Sequence, residues 1–245
     1  MLFRSQKISL LSRIASSLRQ TASHVSLYPV VNDEGAATLI ESAFRGAGWI
    51  AISRPMGTNY VHRLAPGQDF ASYWASRPGK LRSTVKRKGK GDPFRIELLR
   101  DFSEQAWNAY VSVYRRSWKQ TEASFDFLKE LAKRESTAGT LRMGFAYKDD
   151  VPVAAQLWTV ENGEALIHKL AYDSELASAS PGTLLSHAMF RDAIDNDHVR
   201  LLDYGTGGDA YKADWMDEQR PLIQIDLYNP ARPSAWLSEI GRAHV

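Results

Sequence analysis

One stretch, Glu164 to Trp215, does most to restrict what this chain can fold into. It reads EALIHKLAYD, SELASASPG, TLLSHAMFRDAIDNDH, VRLLDYGTGG and DAYKADW. The pattern predicts a strand, a loop closing on Ser180-Pro181-Gly182, a helix over 181–196, a second strand, a glycine turn and a short helix. Ser180 suits an N-cap, Pro181 the first helical position, and Gly182 lets backbone approach a ligand closely. Such a helix start presents unpaired N–H groups to a phosphate, although the same three residues also serve as ordinary capping chemistry. By length and hydrophobicity VRLLDY reads as a parallel neighbour of EALIHKLAYD, reached by a helical crossover.

An antiparallel meander feeds this unit. TLRMGFAYK, VPVAAQLWTV and EALIHKLAYD follow one another, joined by Lys148-Asp149-Asp150 and by Asn162-Gly163, a strong hairpin signal. Upstream, Phe70 to Lys90 predicts a helix broken at Pro78-Gly79, and FRIELL a short strand. Ser103 caps a helix whose Trp107, Tyr110, Val111, Tyr114 and Trp118 form a stripe expected in the core, and Ser124 caps another. Before these, Ile8, Leu11, Ile14 and Leu18 mark a helix over 6–24, and Ala36 to Phe44 a second. WIAIS and NYVHRLA read as strands joined by a turn at Arg54-Pro55-Met56-Gly57.

Composition narrows the chemistry. The 245 residues contain no cysteine, which excludes disulfides, a thiolate nucleophile and cysteine metal sites. No apolar run is long enough to cross a bilayer, so a soluble, cytoplasmic protein is expected. The net charge of +3 conceals a local concentration, since Arg77 to Gly91 carries seven basic residues and no acid while the rest of the chain is net negative. That run is either a solvated face or a surface for phosphate, and it is the expected seam between domains. The two ends have another explanation. Residues 1–5 and 239–245 match translation of a common sequencing-library adapter, so 6–238 at most are expected to be natural and His244 is set aside as a ligand. The six histidines are scattered, so no metal site is expected, and G-x-S-x-G, H-E-x-x-H, Walker and Rossmann fingerprints do not occur.

Several short motifs fall in a distinctive order: the basic helix Arg77 to Lys90, Ser117-Trp118-Lys119, VPVAAQL, Lys169-Leu170-Ala171-Tyr172-Asp173, Ser180-Pro181-Gly182-Thr183-Leu184-Leu185, Asp203-Tyr204-Gly205 and Tyr211-Lys212-x-x-Trp215. In this order and spacing, over roughly residues 70 to 228, the chain resembles the GNAT acyltransferase superfamily. The branch it looks most like is grouped with bacterial cellulose and exopolysaccharide biosynthesis (CelD-like) proteins and is related to FemAB-type aminoacyl transferases. The resemblance implies an α/β (α+β) GNAT-like fold: a mixed, mostly antiparallel sheet with a splayed parallel strand pair and helices on both faces. It also implies an acyltransferase domain over 71–238, preceded over 6–70 by the remnant of a similar N-terminal half.

The activity so implied is an acyl-CoA-dependent N- or O-acetyltransferase acting by direct attack on the thioester, with a small-molecule or saccharide acceptor. Acetyl-CoA, or another acyl-CoA, would place its pyrophosphate on Ser180, Pro181, Gly182 and Thr183. Acyl transfer needs a base and an acid. His168, whose side chain titrates near neutrality, and Asp203 are the candidate bases; Tyr211 is the candidate acid. Strand alternation puts Leu166, His168, Leu170 and Tyr172 on one face and Ile167, Lys169 and Asp173 on the other. Trp118, Lys119, Lys169, Asp173 and Lys212 match motif positions and are candidate substrate-binding residues. A Lys169–Asp173 ion pair, an Asp203 cap on the glycine turn, and packing of Tyr211 and Trp215 on the sheet are the structural alternatives. Two other functions stay open: a FemAB-type transferase gripping charged tRNA through Arg77 to Lys90, and a non-catalytic nucleic-acid-binding or scaffold protein.

Overall fold

The computed structural model of the chain describes residues 4–32, 35–119, 122, 124–207 and 209–232. Gly208 and all of the proposed terminal scars except Arg4 and Ser5 lie outside the described residues, as does His244. The chain divides into two compact units. One comprises Met1–Asn59, Thr206–Gly208 and Gln219–Val245, and the other Tyr60–Gly205 and Asp209–Glu218.

In the first unit, helix α1 (Arg4–Thr21), strand β1 (His24–Val31), helix α2 (Ala36–Gly46) and the first part of β2 (Ile50–Arg63) are joined by the last strand, β8 (Glu218–Tyr228). The strand order is β1-β8-β2, with β1 antiparallel to β8 and His24 opposite Tyr228. Ala15, Phe44, Trp49, Ile225 and Leu227 form its core. The Trp49 indole donates to the Ala15 carbonyl at 3.0 Å. The sequence patterns miss β1 and β8. They also place a turn at Arg54 to Gly57 where β2 runs on unbroken, because the fixed φ of Pro55 suits extended backbone as well as a turn.

The second unit holds α3 (Phe70–Ser76), α4 (Gly79–Lys88), β3 (Arg95–Leu99), α5 (Glu104–Arg115), α6 (Phe125–Thr137), β4 (Leu141–Lys148), β5 (Val151–Glu161), β6 (Glu164–Tyr172), α7 (Pro181–Asp195) and β7 (Leu201–Thr206). A short 3-10 helix, Ser174–Ala179, precedes α7, and another, Ala210–Asp214, follows β7. The strand order from the end of β2 is β2-β7-β6-β5-β4-β3. The pairs β3–β4, β4–β5 and β5–β6 are antiparallel and β6–β7 is parallel. The fold is thus mixed α/β around a mostly antiparallel sheet, as expected.

The break at Pro78 and the caps at Ser103 and Ser124 act where the sequence puts them. Pro78 ends α3 before α4 begins. Ser103 Oγ accepts the Ala106 N–H at 3.0 Å, and Ser124 Oγ the Phe127 N–H at 3.2 Å. Helices cover both faces of this sheet. On one, α7 and α3 bury Tyr73, Leu185 and Phe190 against Ala154, Trp158 and Ile167. On the other, α5 and α6 bury Trp107, Tyr110, Val113 and Leu128 against Phe145, Ala155 and Leu157. The aromatic stripe therefore reaches the core through Tyr114. It excludes Trp118, which lies beyond the end of α5 and is 50% exposed. The basic run lies wholly inside this unit, so it is not a seam; Leu81 of α4 is buried in the same core as α7.

Candidate active site

Two local features of β6 open a cleft. The first is that its parallel pairing with β7 covers only Glu164, Ala165 and Leu166, opposite Leu201, Leu202 and Asp203. Beyond these the two strands part. The second is a bulge: Leu157 faces Lys169 while Trp158 faces Ile167, so His168 is an extra residue in the ladder. The bulge breaks the alternation expected for β6. Ile167 packs in the α7-side core and Leu170 and Tyr172 line the cleft, whereas His168 bonds Thr159 Oγ1 through Nε2 at 2.9 Å. Its neighbours there include Glu135, Lys169 and Asp203; burial is the largest effect and lowers its pKa, leaving a neutral ring at pH 7.

The start of α7 forms the second wall. Ser180 occupies the N-cap position, but in the left-handed region (φ 59°, ψ 44°) and without a side-chain cap bond, contrary to expectation. Its carbonyl instead takes the N–H groups of Thr183 and Leu184 at 3.1 and 3.2 Å. Gly182 lets the helix start approach the Tyr172 ring closely, since a Cβ there would stand 2.8 Å from Tyr172 Cδ1 and displace the ring. Between these elements lies a cleft of about 300 Å³. Its walls include Leu170, Tyr172, Gly182, Thr183, Leu81 of α4 and Trp118, and the 3-10 segment after β7 closes it with Asp209, Tyr211, Asp214 and Trp215.

Buried polar groups hold these walls. Gln156, fully buried in β5, donates to Ser186 Oγ of α7 at 2.8 Å and accepts the Trp158 indole N–H at 2.8 Å. The Trp215 carbonyl takes two donors, Arg77 Nη1 and Tyr73 Oη, both at 2.8 Å. Arg77 is itself buried and pairs with Asp217 at 2.6 Å. The sequence patterns place Arg77 in a solvated basic run and Gln156 in an apolar strand, and single out neither as a buried polar anchor. The signal was there for Gln156, a lone amide inside the apolar strand VPVAAQL.

Of the candidate residues, Gly182, Thr183, Tyr211 and Trp118 face the cleft. Burial pushes the Tyr211 hydroxyl up to about 12, so it remains a proton donor at neutral pH. Pro181 is buried in the helix start. Asp203 accepts the Gly205 N–H at 2.6 Å. The expected Lys169–Asp173 pair does not form, because the connection between α5 and α6 supplies each with its own partner: Lys169 bonds Glu122 at 2.6 Å and Asp173 bonds Arg116 at 2.8 Å. Lys212 is buried, 3.4 Å from the Tyr204 carbonyl and 3.8 Å from Asp209. Among the described residues no group of three or more His, Asp or Glu side chains is arranged to hold a metal ion. No described helix is long and apolar enough to cross a membrane.

Residues 75–213, more than half of the chain, match the family model described as an acetyltransferase (GNAT) domain. The chain belongs to the GNAT superfamily. It is an acyltransferase. Solved structures with the same fold include FemX (TM-score 0.70, 11% identity, 96% of this chain and 80% of that one). A C-terminal domain assigned to lysylphosphatidylglycerol synthetase from Agrobacterium fabrum is similar over 96% of this chain and 76% of its own (TM-score 0.60, 14% identity). A tandem GNAT protein from the clavulanic acid biosynthesis pathway matches over 89% and 68% respectively (TM-score 0.55, 16% identity). No curated protein matches the chain.

Proposed function

We propose that this GNAT protein transfers an acyl group from an acyl-CoA, in the first instance acetyl-CoA, to an amine or sugar hydroxyl of an exopolysaccharide or cell-envelope precursor. One observation carries the reading: β6 and β7 part after three paired residues, and the start of α7 faces the gap. The residues present fit such a donor. Leu81, Leu170 and Trp215 would hold an apolar arm. The Gly182 N–H and the Thr183 hydroxyl would hold phosphate, helped by the basic side chains of α4, whose C-cap Gly89 lies against Leu184 of α7.

When bound, the donor supplies an acyl thioester; the chain's own groups orient it and move protons. With no cysteine present, direct attack by the acceptor is favoured. Tyr211 would give its proton to the departing sulfur. Neutral His168 is in the form that accepts a proton, and Asp203 is the other candidate base.

Calorimetric titration with acetyl-CoA tests this reading. Saturable binding is expected, weakened in Gly182→Val because the new side chain meets Tyr172 at the cleft wall, with the circular dichroism of the variant unchanged. A folded protein that binds neither acetyl-CoA nor CoA overturns it. The second reading, a FemAB-type aminoacyl-tRNA donor, draws on the exposed Lys80, Arg82, Lys86 and Arg87 of α4. It predicts tRNA binding that falls steeply with salt.

A further inference from the structure

Lys119, Lys169 and Lys212 each adjoin a cleft-lining residue in the chain (Trp118, Leu170 and Tyr211), the charges of the last two are felt at the first, and two of the three have an acid of their own. Lys169 is paired with Glu122 and Lys212 lies near Asp209. Lys119 has no ion-pair or hydrogen-bond partner for its ammonium among the described residues; its contact is the Trp118 ring, 5.8 Å from Nζ to the centroid. The side chain is half-buried, and the charges felt there are Lys169 and Lys212, which repel it, and Asp209 and Glu122, which attract it. Burial is the largest effect and works against the charged form. A partly desolvated ammonium beside two like charges is costly, and an arriving anion removes that cost.

Trp118 points to the same use. It belongs to none of the three core clusters, it is half exposed, and its ring packs on Tyr172 with centroids 4.2 Å apart at the cleft wall. A flat aromatic face next to an unpaired cation recognises a ring that bears a negative group. We infer that Lys119 binds a phosphate or carboxylate carried by the acyl acceptor, with Trp118 as the surface on which the ring bearing that group rests. This deepens the acyltransferase reading and rests on it, since it assigns the acceptor to the segment after α5 and leaves the donor's phosphates to α4 and α7.

The test is a lysine-resolved one. After reductive ¹³C-methylation, which keeps the charge, the Lys119 signal is identified by its loss in Lys119→Met. Inorganic phosphate and acetate are then titrated into the full chain. The signal is expected to shift saturably with at least one of the two anions, and which one responds separates phosphate from carboxylate. By calorimetry with glucose 1-phosphate or glucuronate, whichever anion responded, Lys119→Met weakens binding roughly ten- to a hundredfold and Lys119→Arg largely preserves it. A signal indifferent to both anions, or equal affinities in wild type and Lys119→Met, overturns the assignment. Saturation with CoA that abolishes the anion response also overturns it, by giving the anion to the donor. Failure of the donor reading looks different: wild type does not bind acetyl-CoA while the Lys119 response persists.

Discussion

The two halves of β6 are held in different ways. From Glu164 to Leu166 the strand is clasped by β5 on one side and β7 on the other, and its backbone groups are used in two ladders. From Leu170 to Tyr172 it has β5 alone, and side chains from α7, α4 and the 3-10 segment after β7 stand where a strand would be. A cleft in a sheet protein thus needs no hole in the core; it needs a strand pair that stops. The cost is that the walls of the open half must be fixed by buried side-chain hydrogen bonds in place of a regular ladder.

Gln156 is the place to break that arrangement with the largest effect. It lies opposite Leu170 and ties the α7 wall to β5 through Ser186, while accepting the Trp158 indole N–H. Gln156→Ala removes one partner from each of two buried groups and leaves a small cavity, for an expected loss of about 2–4 kcal/mol. Urea unfolding reads this directly. A loss below about 0.5 kcal/mol, the range of surface changes, contradicts the idea that side chains replace the ladder here.

Tyr211 probes the chemistry of the open half. Tyr211→Phe keeps the ring, which meets Tyr204 edge-on with centroids 5.8 Å apart, and removes only the proton donor. If the hydroxyl is the acid for the leaving thiolate, kcat falls roughly 10²-fold or more with KM for acetyl-CoA nearly unchanged. A variant with normal kcat makes Tyr211 a packing residue.

How far all this could be read from the sequence follows the same divide. The paired half is local: alternation, the Asn162-Gly163 turn and the crossover length predict β5, β6, α7 and β7 in the right order. The open half depends on contacts distant in sequence. The bulge at His168 reverses the facing that strict alternation assigns, and no residue near it advertises the extra position. Ser180 carries the letters of a side-chain cap but adopts a left-handed backbone and caps with its carbonyl. Lys169 and Asp173, four apart, looked like partners until helix α5 and the segment after it supplied Arg116 and Glu122. Strand β8 was missed because the Pro221 and charged residues at its start mask a pattern that only the pairing with β1 makes clear.

Two histidines near this divide sharpen the comparison with the smallest expected effect. His168, at the bulge, has the Thr159 hydroxyl and the acids Glu135 and Asp203 to offset its burial. His187, on α7, has its ring against Trp74 and Phe70, with centroids 4.5 and 5.0 Å away; burial and the nearby Arg191 act together and bring its pKa down to about 4. In the unfolded chain the same ring titrates near 6.5. Between those values the unfolded state binds the extra proton, so the stability contributed by neutral His187 is complete above about pH 6.5 and is lost as the pH falls toward 4. The contribution is about 1–3 kcal/mol. Urea midpoints at pH 7 and at about pH 4.5 isolate it, because His187→Gln removes this proton uptake and leaves every carboxylate in place. The variant is expected to lose less stability than wild type over that interval. Equal losses would mean that the His187 ring takes up its proton in the folded chain as readily as in the unfolded one, and the contrast between the two histidines would fail.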